Sequence, residues 1–239
     1  MTVKLLLIRH GESEGNVNKK FSGFQDVKLT EKGIWQAKRL AQRLREVKVD
    51  DVYCSDLSRA RHTAEIVFQN RGINMNIVPQ LKEINFGAWE GLSFEEVKLK
   101  FGYGEHFHSW LENSDVKAII PQGESIIQLN ERVMKALNKI LDKHNAKKND
   151  ETIAIVCHGG TIRVILSNAL NISLDKMWNI GQDSTALNII NYYDHSAFVN
   201  LVNDSAHLED WWKNSLNKKP EKNKNEYKNK RNHTKNYSR

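Results

Sequence analysis

Two rhythms of apolar residues alternate along this chain. Val3 to Ile8 is a short run of Val, Leu and Ile broken only by Lys4, and it stops abruptly at Arg9, His10 and Gly11. Ile153 to Cys157 is a second such run and stops at His158, Gly159 and Gly160. Short apolar runs without alternation are the pattern of strands covered on both faces, as in a parallel sheet. The other rhythm has helical spacing. Ile34, Ala37, Leu40, Ala41, Leu44 and Val47 follow Thr30, whose hydroxyl suits the cap of a helix N-terminus. Further helices are predicted over 57–68, 123–144 and 161–170, and further strands over 51–54, 75–78, 152–157, 186–192 and 197–202. In the longest helix, Ile127, Val133, Leu137, Ile140 and Leu141 are candidates for the buried side. Strands alternating with helices predict a three-layer α/β/α sandwich with a mainly parallel central sheet. No internal repeat interrupts it.

Composition narrows the reading. At 239 residues and 39% hydrophobic content the chain can bury the core of one α/β domain. The net charge of +7 is unevenly placed: residues 213–239 carry +8, so residues 1–212 sum to −1. The expected organisation is therefore a folded domain over 1–212 and a basic, Asn/Lys-rich tail over 213–239, which has too few apolar residues to fold. This speaks against nucleic acid as a partner of the core, although salt-sensitive contact of the tail with RNA or anionic lipid stays open. No stretch approaches the roughly 20 apolar residues of a membrane span, and the first apolar run is too short for a signal peptide. A cytoplasmic protein without membrane contact is expected, with a homodimer one arrangement open to it. Cys54 and Cys157 close strand-like segments and read as small core residues rather than as a disulfide or metal pair. His106 and His108, two residues apart with no third partner evident, are weak as a metal site.

The chemistry is expected where the two apolar runs end. Open α/β sheets bind ligands at the carboxyl edge of their strands, and two strands that each end in His-Gly can face one pocket there.

Further motifs follow in order. Asn16, Ser22-Gly23 and Asp26 come first, then Leu29-Thr30 and Gly33, and then Ser55-Asp56-Leu57-Ser58-Arg59-Ala60 with Thr63-Ala64. Leu81-Lys82-Glu83 and Phe86-Gly87-Ala88-Trp89-Glu90-Gly91 are next, followed by Pro121-Gln122-Gly123-Glu124-Ser125. Together with Arg9-His10-Gly11-Glu12 and His158-Gly159, this series resembles the histidine phosphatase superfamily, the phosphoglycerate-mutase-like enzymes. The likeness runs from about Leu5 to Arg163, and the strand-like ending to about Leu208 also fits.

The resemblance implies a phosphoglycerate-mutase-like fold and a phosphomonoester substrate. His10 would be the nucleophile, forming a phosphohistidine while its other nitrogen donates to a backbone carbonyl. Arg9 and Arg59, always protonated, would grip the phosphoryl oxygens with His158. Amides near Gly11, Gly159 and Gly160, with Asn16, Ser22 and Gly23, would complete the phosphate site. Glu83 is placed by the resemblance as the group that protonates the leaving alkoxide and later takes a proton from water. Glu12, Glu90 and Glu124 compete for that role, Glu12 having as an alternative a loop contact or a bond to Arg59. No metal or other cofactor is required.

Within the superfamily, the absence of arginine between Arg71 and Arg132 and of a basic residue after Glu83 separates the chain from the mutases. The phosphatase branch, with α-ribazole phosphatases and broad phosphomonoesterases, is favoured, α-ribazole 5′-phosphate and so cobalamin biosynthesis being one context. The alternatives are a cofactor-dependent phosphoglycerate mutase and a non-catalytic phosphate-binding module. The aromatics Phe86, Trp89, Phe101, Tyr103, Phe107 and Trp110 fall where family members carry a specificity lid, some as core and some as a wall for a substrate ring.

Overall fold

Strands β1 (Val3–Arg9), β2 (Asp51–Cys54), β3 (Met75–Ile77), β4 (Glu151–Cys157), β5 (Leu187–Tyr193) and β6 (Ser196–Asp204) form one sheet in the order β3-β2-β4-β1-β5-β6. The computed structural model describes residues 2–101, 115–147, 149–193 and 196–208. The tail over 213–239 and His106, His108, Tyr103, Phe107 and Trp110 lie outside these residues. The expected parallel arrangement holds for β1 to β4, while β5 runs antiparallel to β1 and β6 antiparallel to β5. The sheet is therefore mixed, and mostly parallel where β1 and β4 lie side by side.

Among the described residues six α-helices accompany the strands: α1 (Glu14–Val17), α2 (Glu31–Arg43), α3 (Ser58–Phe68), α4 (Phe94–Phe101), α5 (Ile126–Asn145) and α6 (Gly159–Ala169). The three layers are visible within β1 itself, because side chains alternate across a strand. Leu5 and Leu7 join one apolar cluster with Leu137 and Ile140 of α5 and Ile162 and Val164 of α6. Leu6 and Ile8 join the other, with Ala37 and Leu40 of α2 and Ala60 and Ala64 of α3. Both clusters are closed by side chains with almost no exposure, which is why the strand needs apolar residues at consecutive positions.

The predicted register of the long helix needs one correction. Ile126, not Ile127, is fully buried, in line with Leu129, Val133, Leu137 and Ile140. The start is set by Ser125, whose Oγ accepts from Gln128 N at 3.2 Å while Gln128 Oε1 accepts from Ser125 N at 2.9 Å. This reciprocal cap begins the helix at Ile126, three residues after the predicted Gly123, and fixes which isoleucine faces inward. Thr30 caps α2 as expected, accepting from Gly33 N at 3.0 Å.

Phe86 and Trp89 are core residues, 9% and 1% exposed, with Phe21 packed on both rings. They are not a wall for a substrate. Cys54 and Cys157 are free and fully buried, and burial pushes the Cys54 thiol up to about 12.

Candidate active site

β1 and β4 are paired in register through Arg9 and Cys157, so His10 and His158 leave the sheet side by side at its carboxyl edge. His10 N donates to Cys157 O at 3.0 Å, and the two imidazoles lie 5.2 Å apart between centroids. The backbone behind them is held by an unusual contact. Thr185 N donates to His10 O, and Thr185 adopts φ of +58°, a strained conformation for a β-branched residue. Its hydroxyl is bonded to His207 Nε2 at 2.9 Å.

His10 is 4% exposed and its Nδ1 lies 2.7 Å from Gly11 O. A carbonyl only accepts, so Nδ1 carries the hydrogen, and in the neutral ring Nε2 keeps its lone pair. Burial, then the charges of Arg59 and Arg9, holds the His10 imidazole well below its ordinary range, against the raising effect of the Gly11 bond. His158 is driven down in the same way by burial, Arg59, His10 and Arg9. Both rings are thus neutral near pH 7.

Several buried polar atoms around these rings lack partners. Among the described residues, both ring nitrogens of His158 and the Nε of Arg9 have none. Buried polar atoms are nearly always bonded, so three such atoms at one place mark a site that awaits a polar ligand. Arg9 donates through Nη1 to Gln182 O. Arg59, 2% exposed, donates to the carbonyls of Ser22, Gly23 and Gln25 at 2.7–2.8 Å. It therefore shapes the 22–25 loop from beneath.

Glu83 joins the cluster from the segment after β3. Gly160 N donates to its Oε1 and Oε2 at 3.0 and 3.1 Å, and Ile84 N to Oε1 at 2.9 Å. It thus occupies the N-terminus of α6, seated on the backbone amide of Gly160. The absence of a side chain at Gly160 is a steric requirement, since a Cβ there would lie 2.4 Å from Glu83 Oε1. Gly11 is constrained likewise, a Cβ meeting Gly33 O at 2.5 Å, and its N donates to Thr63 Oγ1 at 3.0 Å.

The competing carboxylates are committed elsewhere. Glu12 accepts from Thr30 Oγ1 and pairs with Lys32 at 2.8 Å, so it fixes the loop and does not bond Arg59. Glu90 accepts from Phe24 N and Gln25 N, both at 2.6 Å. Glu124 accepts from Asn85 N and pairs with Arg132. Asn16 is exposed and its Oδ1 accepts from Ser13 N and Oγ, while the Ser22 hydroxyl turns to Lys20 O. Neither makes a bond to the two histidines. Among the described residues no group of His, Cys, Asp or Glu could hold a metal ion.

Three residues at the site had no role assigned from sequence, although Thr63 stood in one of the motifs. Thr63 bridges Gly11 N and Arg59 O, and its signal was its place four residues after Arg59 on one helix face. Arg132 donates to the carbonyls of Gln80, Lys82 and Glu83 and so braces the segment that carries Glu83. Arg163, stacked 5.3 Å from the Trp178 ring, borders Gly159 opposite Arg9, a Cβ at Gly159 lying 2.9 Å from its Nη1 and 3.6 Å from Arg9 Nε. Both arginines interrupt apolar helix faces in the sequence.

Comparison with known proteins agrees with this geometry. Residues 5–205 match the histidine phosphatase superfamily (branch 1). The chain is 31% identical over 204 residues to the adenosylcobalamin/α-ribazole phosphatase of Salmonella typhimurium, covering 85% of this chain and 98% of that protein. It is also 31% identical over 210 residues to phosphoserine phosphatase 1 of Hydrogenobacter thermophilus, covering 88% and 96%. The solved structure of Bacillus stearothermophilus YhfR superposes with a TM-score of 0.78 at 32% identity, covering 86% of this chain and 99% of that one.

Proposed function

The chain belongs to branch 1 of the histidine phosphatase superfamily, and on that premise we propose that it hydrolyses a small phosphomonoester through a phosphohistidine on His10. The observation that carries this reading is the unpartnered set of Arg9 Nε and the two His158 nitrogens around a histidine whose Nε2 is free to attack. A non-catalytic binding module would need the cations but not a neutral imidazole with a fixed tautomer.

In the first step His10 Nε2 forms a bond to phosphorus as the ester P–O bond breaks, and the Glu83 proton passes to the leaving oxygen. In the second, water gives a proton to Glu83 and attacks phosphorus, the P–N bond breaks, and His10 is restored. Arg9, Arg59 and His158 stabilise charge on the transferring group, more strongly in the transition state than in bound substrate. Asn16, Ser22, Gly23 and Gly159 complete the phosphate site, while the Gly160 amide seats Glu83; nucleophile, acid and cations all come from side chains, so the reaction proceeds without a metal. The names of the relatives make α-ribazole 5′-phosphate and phosphoserine the substrates to try first.

The test is phosphate release in EDTA from those two esters and from p-nitrophenyl phosphate, with 3-phosphoglycerate isomerisation assayed alongside. Release that falls by roughly 10⁴-fold or more in His10→Ala, without isomerisation, is the expected outcome. Primer-dependent isomerisation would assign the chain to the mutases instead. Glu83→Gln should lower kcat/KM, which reports the first step, on phosphoserine by about 10²–10⁴-fold while p-nitrophenyl phosphate, whose leaving group needs no proton, is affected far less; equal losses in kcat/KM would remove Glu83 from the proton-donor role.

A further inference from the structure

Between α5 and the edge strand β3 lies a cavity of about 680 Å³ that plays no part in the reaction above. Its volume is in the range of small-molecule sites. One wall is a row of cations on a single face of α5, Arg132, Lys135, Lys139 and Lys143, and no Asp or Glu lines it. Over these residues the helix advances about 16 Å at 1.5 Å per residue. Lys135–Lys139 and Lys139–Lys143 are like charges at i,i+4, a spacing that destabilises a helix. Arg132 is neutralised by Glu124, and Lys143 faces Asp51 at 3.4 Å, but Lys135 and Lys139 have no ion pair among the described residues.

The floor is built rather than incidental. Ile77, Val78 and Ile140 supply apolar surface, and Tyr53, 4% exposed, brings a hydroxyl to the cavity. That hydroxyl is fixed by His144 Nε2 at 2.8 Å and Lys143 Nζ at 3.0 Å. His144 is itself anchored on Glu151 through Nδ1. A buried polar chain thus ends at a wall of cations beside an apolar surface.

We infer that this cavity binds a small organic polyanion, two or more phosphate groups carried on a ring-bearing body, as in a nucleoside triphosphate. The phosphates lie along Lys135 and Lys139, and the ring covers Ile77 and Ile140. Single-stranded nucleic acid fits less well, because it binds on exposed aromatic faces and the cavity's one aromatic ring is buried. The chain's own residues 213–239 are excluded by their charge of +8.

The experiment is calorimetric titration of the full chain with ATP, with inorganic tripolyphosphate and with oligo(U), each with saturating inorganic phosphate in the catalytic pocket. One equivalent of ATP should bind, at least tenfold more weakly in Lys135→Glu/Lys139→Glu. Phosphatase activity of the double variant should match the parent, which shows that it folds. Binding that phosphate displaces, or that survives the double charge reversal, would overturn the inference, as would no binding of ATP at millimolar concentration. Tripolyphosphate binding as tightly as ATP would overturn the role of the apolar floor, and oligo(U) binding more tightly would overturn the class of ligand.

Discussion

The protonation of His10 follows from its surroundings. Burial and two guanidinium groups keep the ring neutral, so the form able to attack phosphorus persists well below pH 6.5. The acid limb of kcat/KM, after correction for the phosphate's own ionisation near pH 6, should therefore lie below the ordinary histidine value of about 6.5. Arg59→Gln removes a charge that disfavours imidazolium, so it should move that limb upward. A limb at or above 6.5 in the parent enzyme would contradict this account. Gly160 offers a separate test of Glu83. Gly160→Ala pushes a methyl to 2.4 Å from Oε1 and should lower kcat on alkyl esters by about 10–100-fold through misplacement of the acid, with thermal stability little changed. An unaffected kcat would mean that the seat on α6 does not matter to proton transfer.

At the scale of elements, the loop over 22–25 depends on groups far from it in sequence. Glu90 ties Phe24 N and Gln25 N, while Arg59 ties the carbonyls of the same loop. Glu90→Gln loses the charge on two short hydrogen bonds and should cost about 1–2 kcal/mol in urea unfolding, with KM raised more than kcat is lowered. No change in either would place the loop's order in Arg59 alone. Much of this level was legible beforehand. Buried strands such as β1 and β4 announce themselves by unbroken apolar runs, and Thr30 by its capping position. The register of α5 was not, because Ile126 and Ile127 are chemically identical and only the Ser125–Gln128 cap decides between them. Nor was the direction of β5, since the residues of an antiparallel neighbour to a buried strand look like those of a parallel one. The site was legible where a residue type is demanding, as with His10, His158 and Arg59. The loop contact of Glu12 was among the readings open to it, but the use of Glu90 was hidden, because a carboxylate in a loop carries no mark of which backbone amides it will meet.

Across the whole molecule, the buried histidines make stability depend on pH. His10 and His158 are held well below their ordinary range, and burial followed by Arg43 brings His207 down to about 4. Above pH 6.5 these rings are neutral in both folded and unfolded chains. As pH falls below 6.5 the unfolded chain takes up protons that the folded one refuses, so stability is lost on acidification. Urea unfolding at pH 5 should give a lower free energy than at pH 7; a flat profile between these values would show that the rings protonate in place. The sheet order has a consequence of another kind. β1 pairs with β4 through Val3 and Glu151 and with β5 through Val3 and Tyr192, so both neighbours are translated long after it. With a ribosome adding about 5–20 residues per second, the strand that carries the nucleophile waits roughly 10–40 s for its partners. During that interval Leu5 to Ile8 is a sticky segment on a nascent chain, and keeping it from the wrong companions falls to the chaperones of synthesis.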